Sequence, residues 1–347
     1  MWWKILSVVI ILYSLIAGLL VPLGPGIVEV RPGSAKTGET VVLEVTGYNS
    51  NYTVGDVRAW LKLDSEHGLR ARDIDVLDDR RLRVTFDLPN ALPVDKKVQD
   101  LTLVTDNPSD GAAVLPSALF VTNQGATTST DGWQQSTIES LHSASGMNFP
   151  FRNILGETIR NTYYHVPLWF AMMIIFIAAV VYSIRFLRHR RTRDDHRALA
   201  LTQVGILYGI LGLVTGAIWA KHTWGAYWSF DPKQNMAAIA ILIYLAYLIL
   251  RNSFDDVEKR ARIGAVYNIF AFSTLIPLLY IIPRLVDSLH PGAGGNPAFG
   301  GEDLDNTMRT VFYPAIIGWT LFGVWMATLL WRTYRLRDRA MELDPLP

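Results

Sequence analysis

The chain contains 347 residues, 50% of them hydrophobic, and its mean hydropathy is +0.21. This composition is too apolar for an ordinary soluble protein and polar enough to include a soluble portion. The formal net charge of +1 gives no electrostatic reason to expect nucleic-acid binding. The chain has no cysteine, which excludes disulfides, thiolate metal sites, iron–sulfur clusters and a thiol nucleophile. Any redox chemistry on cysteine must therefore belong to a partner.

A continuous apolar run, Ile5 to Leu20, begins the chain after a single lysine, Lys4. Such a run is either a signal peptide or an uncleaved anchor. A Pro- and Gly-containing segment follows it, without a small-x-small cleavage site. A membrane helix requires about 20 apolar residues, which the run supplies if it extends to Leu23. The sequence therefore favours a transmembrane anchor over residues 1–24.

Residues 25–124 have the pattern of a β-sandwich. Short segments alternate apolar and polar residues, with turn residues between them: Val41–Val45, Val57–Leu61, Leu82–Phe86, Leu101–Val104 and Ala118–Val121. They predict an all-β, immunoglobulin-like antiparallel sandwich. The opening stretch IVEVRPGSAKTGETVVLEVTG resembles the immunoglobulin-like transcription-factor (IPT/TIG) sandwich. No residue in this domain suggests catalysis, so docking or spacing is its expected role.

Residues 125–160 are polar and rich in Ser, Thr and Gln, and predict a connector with a short helix around Trp133 to Leu141. Five further apolar runs are each long enough to cross a bilayer: about Tyr164–Leu187, Leu199–Ala220, Met236–Leu250, Ile263–Ile282 and Tyr313–Trp331. With the anchor, they predict a polytopic α-helical membrane protein with six transmembrane helices. The five-helix domain covers 161–333, and a tail covers 334–347.

Basic residues predict the orientation of these helices. The segments after the first and third of the five runs, and the C-terminal tail, are rich in basic residues: Arg185, Arg188, Arg190, Arg191, Arg193 and Arg197; Arg251, Lys259, Arg260 and Arg262; Arg332, Arg335, Arg337 and Arg339. We expect these segments and both termini in the cytoplasm. The sandwich, residues 219–235 and the 283–312 loop are then extracytoplasmic, which is the periplasmic side of a bacterial inner membrane.

One short stretch between the second and third runs, Trp219–Asn235, reads WAKHTWGAYWSFDPKQN and is dense in aromatic residues: Trp219, Trp224, Tyr227, Trp228 and Phe230. Large flat rings contribute apolar area that requires a partner surface. One interpretation is an aromatic belt at the lipid headgroups, although belts are spread over helix ends rather than concentrated in one loop. The other is a platform for a flat hydrophobic ligand at the membrane surface.

Three of the seven histidines lie near the outer ends of predicted membrane helices, on the same side as this stretch. His165 stands at the outer end of a predicted helix, where a polar ring requires a partner, and His290 follows the outer end of another. His222 adjoins the aromatic residues. The other four lie in an arginine-rich segment, where solvation is expected, or in the sandwich and connector without a partner pattern: His189 and His196, and His67 and His142.

Two imidazoles and an aromatic platform at one membrane face suit haem. Haem iron takes two axial ligands on opposite faces of a flat, apolar macrocycle, and imidazole is a common ligand. We expect His165 and His290 to be the ligands, with His222 as an alternative. The alternative is that both histidines are ordinary residues at helix ends. This alternative is less favoured for the two histidines together than for either one alone.

Charged residues near this set have two expected roles. The haem propionates require cations, and four lie on the predicted side: Lys221, Lys233, Arg284 and Arg309. Asp231 is expected to cap the start of the following helix. Its alternative role is to orient an imidazole or a water molecule.

At these residues the sequence resembles the haem-handling protein family of cytochrome c maturation. WGAYWSFDPK is similar to its tryptophan-rich WWD signature, and GETIRNTYYHVPLWF and DSLHPGAGG are similar to the segments of CcmC-type members that supply two axial histidines. The resemblance covers most of residues 156–333. It implies that His165 and His290 bind the iron of haem b. The implied haem-binding set also contains Trp219, Trp224, Tyr227, Trp228, Phe230 and Asp231.

The resemblance further implies a binding and delivery protein rather than an enzyme. CcmC-type proteins hold haem at the outer membrane face and pass it to a periplasmic haem chaperone of the CcmE type. They work in the inner membrane with ABC transporter subunits of the CcmA and CcmB types and a small accessory membrane subunit. No G-x-x-x-x-G-K-[ST] phosphate loop is present, so another chain would bind ATP.

The sequence departs from the CcmC pattern at three places. Phe230 stands where the signature often has Trp, and the sandwich enlarges the loop before His165. The run from Asp231 to Lys233 is closer to the haem-lyase relatives of the CcsA and CcmF types, so a subunit of a cytochrome c synthase is the alternative function. Those relatives usually carry further histidines inside membrane helices, which this chain lacks apart from the boundary His165. The same lack argues against an electron-transfer membrane cytochrome.

Overall fold

A computed structural model describes residues 1–124, 128–135, 138, 140–143, 146–290 and 304–343. The chain divides into two compact units. One is the segment Val21–Glu157, which is mostly β-strand, and the other combines Met1–Leu20 with Thr158–Pro347 and is mostly helical. The division confirms an all-β unit inserted between the first and second apolar helices.

The β unit contains two sheets. The first has the strand order β1-β3-β7-β6, and the second has the order β10-β5-β4-β8-β9-β2. The strands are β1 (Gly26–Arg31), β2 (Ser34–Lys36), β3 (Thr40–Tyr48), β4 (Arg58–Lys62), β5 (His67–Arg70), β6 (Asp73–Asp78), β7 (Arg81–Asp87), β8 (Val98–Asn107), β9 (Gly111–Thr122) and β10 (Gln134–Gln135). The five segments predicted from alternation lie in β3, β4, β7, β8 and β9.

Alternation along β3 and β7 explains how the first sheet covers the core. The two strands are antiparallel, and Val41 lies opposite Phe86, Leu43 opposite Val84, and Val45 opposite Leu82. All six side chains are buried, while the residues between them on β3 face outward. Period-two alternation therefore places one apolar face of the sheet on the core.

The helix expected around Trp133 to Leu141 is wrong where the structure describes it. Gln134–Gln135 form β10, which pairs antiparallel with β5. Trp133 explains the difference, because its ring is buried in the sandwich core and its Nε1–H donates to the carbonyl oxygen of Ala91 at 2.9 Å. This anchor holds the segment extended along the sheet edge. Residues 136, 137 and 139 of the expected helix lie outside the described residues.

The helical unit contains six described helices that are long and apolar enough to cross a membrane, which confirms the predicted number. Their bounds are α1 (Trp2–Leu20), α2 (His165–His189), α3 (Thr192–Trp224), α4 (Pro232–Asn252), α5 (Val257–Ile276) and α7 (Asn306–Leu343), with the short α6 (Ile282–Leu285). A π-helical turn, Pro277–Ile281, joins α5 to α6. An eight-residue 3₁₀ helix, Gly156–Tyr163, leads into α2.

Short connections make consecutive helices antiparallel. Arg190 ends α2 in the left-handed conformation at a φ of 53°, and α3 begins two residues later. One end of the unit therefore contains the start of α2, the end of α3, the start of α4 and the segment after α6. The arginine-rich turn between α2 and α3, the end of α4 and the end of α7 lie at the other end.

The arginine-rich end is more ordered than the sequence suggested. The helix α3 begins seven residues before the predicted Leu199, with Asp194 and Asp195 in its first turn. His196, expected to be solvated, is only 13% exposed, and its Nε2 lies 3.3 Å from Oδ2 of Asp338 on α7. That expectation is wrong because α7 continues past the apolar span and covers the start of α3. His189 is exposed, as expected.

Candidate functional site

The aromatic stretch is mostly helix. Gly225 ends α3 in the left-handed conformation, at a φ of 84°, and its N–H bonds to the carbonyl oxygen of Lys221 at 3.1 Å. Only residues 225–231 connect α3 to α4. Trp219 and Trp224 therefore lie on the last turns of α3, where their rings meet edge to face with centroids 4.9 Å apart. A rigid helix end, rather than a loop, positions these two indoles.

The first turn of α4 holds the short connector in place. The side chain of Gln234 accepts from the Ser229 N–H at 3.0 Å. Asn235 donates to the carbonyl oxygen of Phe230 at 2.8 Å and accepts from Trp228 Nε1 at 3.2 Å. These bonds stabilise Phe230 at a φ of 57°, a conformation that L residues rarely adopt. The connector is thus braced by polar side chains of the helix that follows it.

Asp231 joins the connector to the segment after α6. As expected, it caps α4, and its Oδ1 accepts from the Lys233 N–H at 2.9 Å. It also accepts from the Leu289 N–H at 2.8 Å and from Nδ1 of His290 at 2.8 Å. The hydroxyl of Ser288 adds a bond at 2.9 Å. The preferred capping role and the alternative role, which was to orient an imidazole, are therefore both present in one carboxylate.

The electrostatics of this pair define the state of His290. Burial raises the pKa of Asp231, but hydrogen bonds from Leu289, Ser288 and His290 outweigh burial and leave that pKa below its usual value. Burial lowers the pKa of His290, although Asp231 opposes this shift. The carboxylate can only accept, so Nδ1 of the neutral ring carries the proton. Nε2 is then an unprotonated nitrogen suited to a metal.

His290 lies among the indoles of α3. Its ring meets that of Trp224 edge to face at 4.7 Å between centroids and lies tilted to that of Trp219 at 5.9 Å. The structure therefore brings together one predicted histidine, two predicted tryptophans and Asp231. Nearly sixty residues separate His290 from Asp231 in sequence, so spacing alone did not predict this contact.

His165 begins α2 at the same end of the helical unit. Its Nδ1 lies 3.1 Å from Oγ1 of Thr215 on α3, and its ring meets Trp169 edge to face at 6.2 Å. His165 contacts Thr215 on α3, and His290 contacts Trp219 and Trp224 further along the same helix. The two candidate ligands thus both lie against the C-terminal part of α3. One candidate propionate cation, Lys233, follows Asp231 on the first turn of α4.

Other predicted residues lie at the margin of this cluster. Tyr227 is 60% exposed and Phe230 is 76% exposed, and the ammonium of Lys221 lies 5.8 Å from the Tyr227 ring centroid. His222 is exposed on the last turn of α3. Sequence reasoning missed Thr215 and Ser288, whose short hydroxyl side chains carry no motif of their own.

Comparison with known proteins identifies the family. A family model described as CcmC, heme exporter protein C, matches residues 140–344, which is more than half of the chain. All ten described strands, the last of which ends at Gln135, lie before the matched region. The match covers α2 to α7 and all the predicted site residues.

Individual relatives agree with this match. Heme exporter protein C of Bradyrhizobium diazoefficiens is 28% identical over 190 residues, which are 54% of this chain and 71% of the relative. Heme exporter protein C of Paracoccus denitrificans is 28% identical over 178 residues, or 51% of this chain and 73% of the relative. That of Escherichia coli K12 is 22% identical over 189 residues, or 54% and 73%. The chain belongs to the CcmC family and is a multi-pass bacterial membrane protein with an inserted immunoglobulin-like domain.

Proposed function

We propose that this protein binds haem between His165 and His290 at the outer face of the membrane and delivers it for cytochrome c maturation. One observation carries the proposal. Two imidazoles, one at the start of α2 and one in the segment after α6, lie at one end of the unit, and each uses Nδ1 for a hydrogen bond that leaves Nε2 for a ligand. The name of these relatives, heme exporter protein C, supports haem as the cargo.

The residues fit haem b in donor type and in surroundings. Metal-bound histidines usually donate their second ring N–H to a carboxylate or another oxygen, and Asp231 and Thr215 provide these acceptors. Trp219 and Trp224 present flat apolar rings beside one imidazole. Haem would supply an iron with two axial positions, and two imidazoles would occupy both. An iron without an open position suits transport of the cargo rather than catalysis on it.

Charge distribution supports an extracytoplasmic haem site. The arginine-rich turn between α2 and α3 and the basic end of α7 lie at the end of the unit opposite His165 and His290. Basic segments stay on the cytoplasmic side. We therefore assign both termini to the cytoplasm. Haem is then bound at the periplasmic end, and the sandwich, which joins α1 to α2, belongs to the periplasm as well.

Delivery requires a recipient and a source of energy. We assign a periplasmic haem chaperone of the CcmE type as the recipient, because the proposed haem site lies on the periplasmic side of the membrane. ABC transporter subunits of the CcmA and CcmB types and a small accessory membrane subunit complete the proposed complex. The absence of a phosphate loop from the sequence supports a separate ATP-binding subunit.

The haem-lyase alternative rested on the run from Asp231 to Lys233. In the structure, Asp231 and Pro232 begin α4, and Asp231 also holds His290. These local roles account for the run without a catalytic step. Thioether formation in a reconstituted system without a haem chaperone would support the lyase function instead.

Absorption spectroscopy of the purified protein tests the proposal. The wild-type protein is expected to show a low-spin bis-imidazole haem spectrum, which the double variant H165A/H290A loses. H222A is the matched control, since His222 is an exposed histidine beside the same aromatic residues. A double variant that keeps the low-spin spectrum, or an H222A variant that loses it, would refute the assignment of ligands.

A further inference from the structure

Four glycines on one face of α3, here called the glycine register, leave room for large side chains of α2. A Cβ atom added at each of four α3 glycines would approach a different α2 side chain closer than ordinary van der Waals contact. The number of residues between successive glycines on α3 equals the number between their partners on α2, counted in the opposite direction, as expected for antiparallel helices. The pairs are Gly205 with Phe176, Gly209 with Met172, Gly212 with Trp169 and Gly216 with His165.

His165 is the last pair of this register. A Cβ atom at Gly216 would lie 2.8 Å from Cε1 of His165, so the imidazole packs directly against the α3 backbone. Small residues at a membrane helix interface allow such close approach. The register fixes the position of α2 along α3, and therefore the height of the imidazole in the membrane unit.

Thr215, the neighbour of Gly216, fixes the ring in rotation and tautomer. Its Oγ1 lies 2.8 Å from the carbonyl oxygen of Leu211 and 3.1 Å from that of Gly212. The single hydroxyl proton of Thr215 has the carbonyl oxygen of Leu211 as its nearest acceptor. With the proton donated there, the hydroxyl oxygen accepts from Nδ1–H of His165, 3.1 Å away. The proton is thereby held on Nδ1, and Nε2 is the nitrogen presented for coordination.

We infer that Thr215 and Gly216 are positioning residues for His165: Gly216 makes room for the imidazole and Thr215 holds it as the Nδ1–H tautomer. This inference rests on the proposed haem function. Asp231 performs the corresponding task for His290. The two ligands are then unequal, because one imidazole donates to a carboxylate and the other to a neutral hydroxyl. A carboxylate partner raises ligand basicity more than a hydroxyl does.

The test compares T215V with wild type and with a matched control. T215V removes the acceptor at nearly constant volume, and T215S keeps it. T328V is the control, since Thr328 is a buried threonine of α7 that makes the same bond to a carbonyl four residues before it. We expect T215V to lower haem affinity by about 10-fold, the low end for loss of an outer-shell partner. Its haem reduction potential should rise, while T215S and T328V resemble wild type.

Substitution of the glycine gives an independent measurement. G216A should displace the imidazole and convert part of the haem to a high-spin or single-imidazole form. G205A, whose added Cβ would meet Phe176 of α2 instead, should lower thermal stability while the haem remains bis-imidazole. If T215V does not fold, T215A removes the same acceptor with less steric demand.

Two outcomes separate this inference from the proposed function. If wild type shows a bis-imidazole spectrum that H165A abolishes, but T215V and T215A match T328V in affinity and potential, Thr215 does not position the ligand and the inference is wrong. If H165A keeps the wild-type spectrum, the proposed ligand itself is wrong, whatever the threonine variants show.

Discussion

Two polar sites at opposite ends of the helical unit, the Arg251–Asp195 pair and the histidines His165 and His290, differ in how their side chains are satisfied. At the arginine-rich end, Arg251 of α4 and Asp195 of α3 form a two-pronged ion pair, with side chains 6% and 7% exposed. Each carboxylate oxygen of Asp195 accepts from one terminal nitrogen of the Arg251 guanidinium. At the opposite end, His165 and His290 each bond through one ring nitrogen and keep the other. The helical unit thus carries a mutually satisfied ion pair at one end and, at the other, two imidazoles that each have an orienting hydrogen bond.

This difference separates a structural site from a binding site. Buried groups that satisfy each other hold helices together and have no capacity for a ligand. Buried groups with one orienting bond and one remaining lone pair are positioned for a ligand. Variants at the ion pair should therefore change stability without changing the haem spectrum, and variants at the histidine end should do the reverse.

The largest expected effect on stability is at the ion pair. R251A leaves the carboxylate of Asp195 buried and unpaired, which should destabilise the protein by about 3–5 kcal/mol. Thermal unfolding in detergent, with and without the substitution, measures the loss. The double variant D195L/R251M is the control, because it removes both charges and should recover most of the stability. If folded R251A protein lacked the haem spectrum, the ion pair would affect haem binding. The proposal that the two sites act separately would then be wrong.

Asp231 comes next because it serves both stability and binding. D231A should lose about 1 kcal/mol from the cap of α4 and about 10- to 100-fold in haem affinity through His290. D231N separates the two effects, since asparagine also caps helices but is a weaker acceptor for Nδ1–H. Haem titration should then show reduced affinity for D231N at nearly wild-type melting temperature. Wild-type affinity in both variants would show that His290 needs no carboxylate.

A polar pair between the ends provides a smaller test. Asn268 of α5 donates to the hydroxyl of Ser183 on α2 at 2.9 Å, and both residues are fully buried. S183A should cost about 0.6 kcal/mol, the average for such bonds between membrane helices. S273A, at an exposed serine of α5, should cost less. Equal melting temperatures for S183A and wild type would show that the bond contributes nothing to stability.

Phe230 should show the smallest change in stability. Its ring is 76% exposed, so F230A is expected to alter the free energy of unfolding by no more than about 0.5 kcal/mol. F230G should be more stable than F230A, because glycine adopts the positive φ of 57° without strain. A several-fold fall in haem affinity for both variants would place the ring against the cargo. Unchanged affinity would remove Phe230 from the haem-binding set.

Much of the architecture was predictable because local patterns determine it. Alternating residues predicted five of the ten described strands, apolar length predicted the six spans, and the cap expected at Asp231 marked the start of α4. The solvated state expected for His196 was wrong because α7 extends beyond its apolar portion, and hydropathy does not report helix in a polar segment. The helix expected after Trp133 was wrong because burial of one indole outweighs local propensity.

The internal geometry of the site was less accessible from sequence. Contacts of Asp231 with the segment around His290 depend on how α4 and the end of α6 approach, and no local pattern encodes that approach. Thr215 was missed for the same reason. The glycines of α3 were an available signal, since their spacing of four, three and four residues marks one helix face. That face could have been paired with His165 before the structure was known.

Pulsed electron paramagnetic resonance on ferric haem in the ¹⁵N-histidine-labelled protein tests the central claim most directly. The wild-type protein should show two coordinated imidazole nitrogens, and the H165A and H290A variants should each show one. Wild-type haem with fewer than two histidine nitrogens, or two in either single variant, would contradict the assignment of His165 and His290 as the pair that holds the iron.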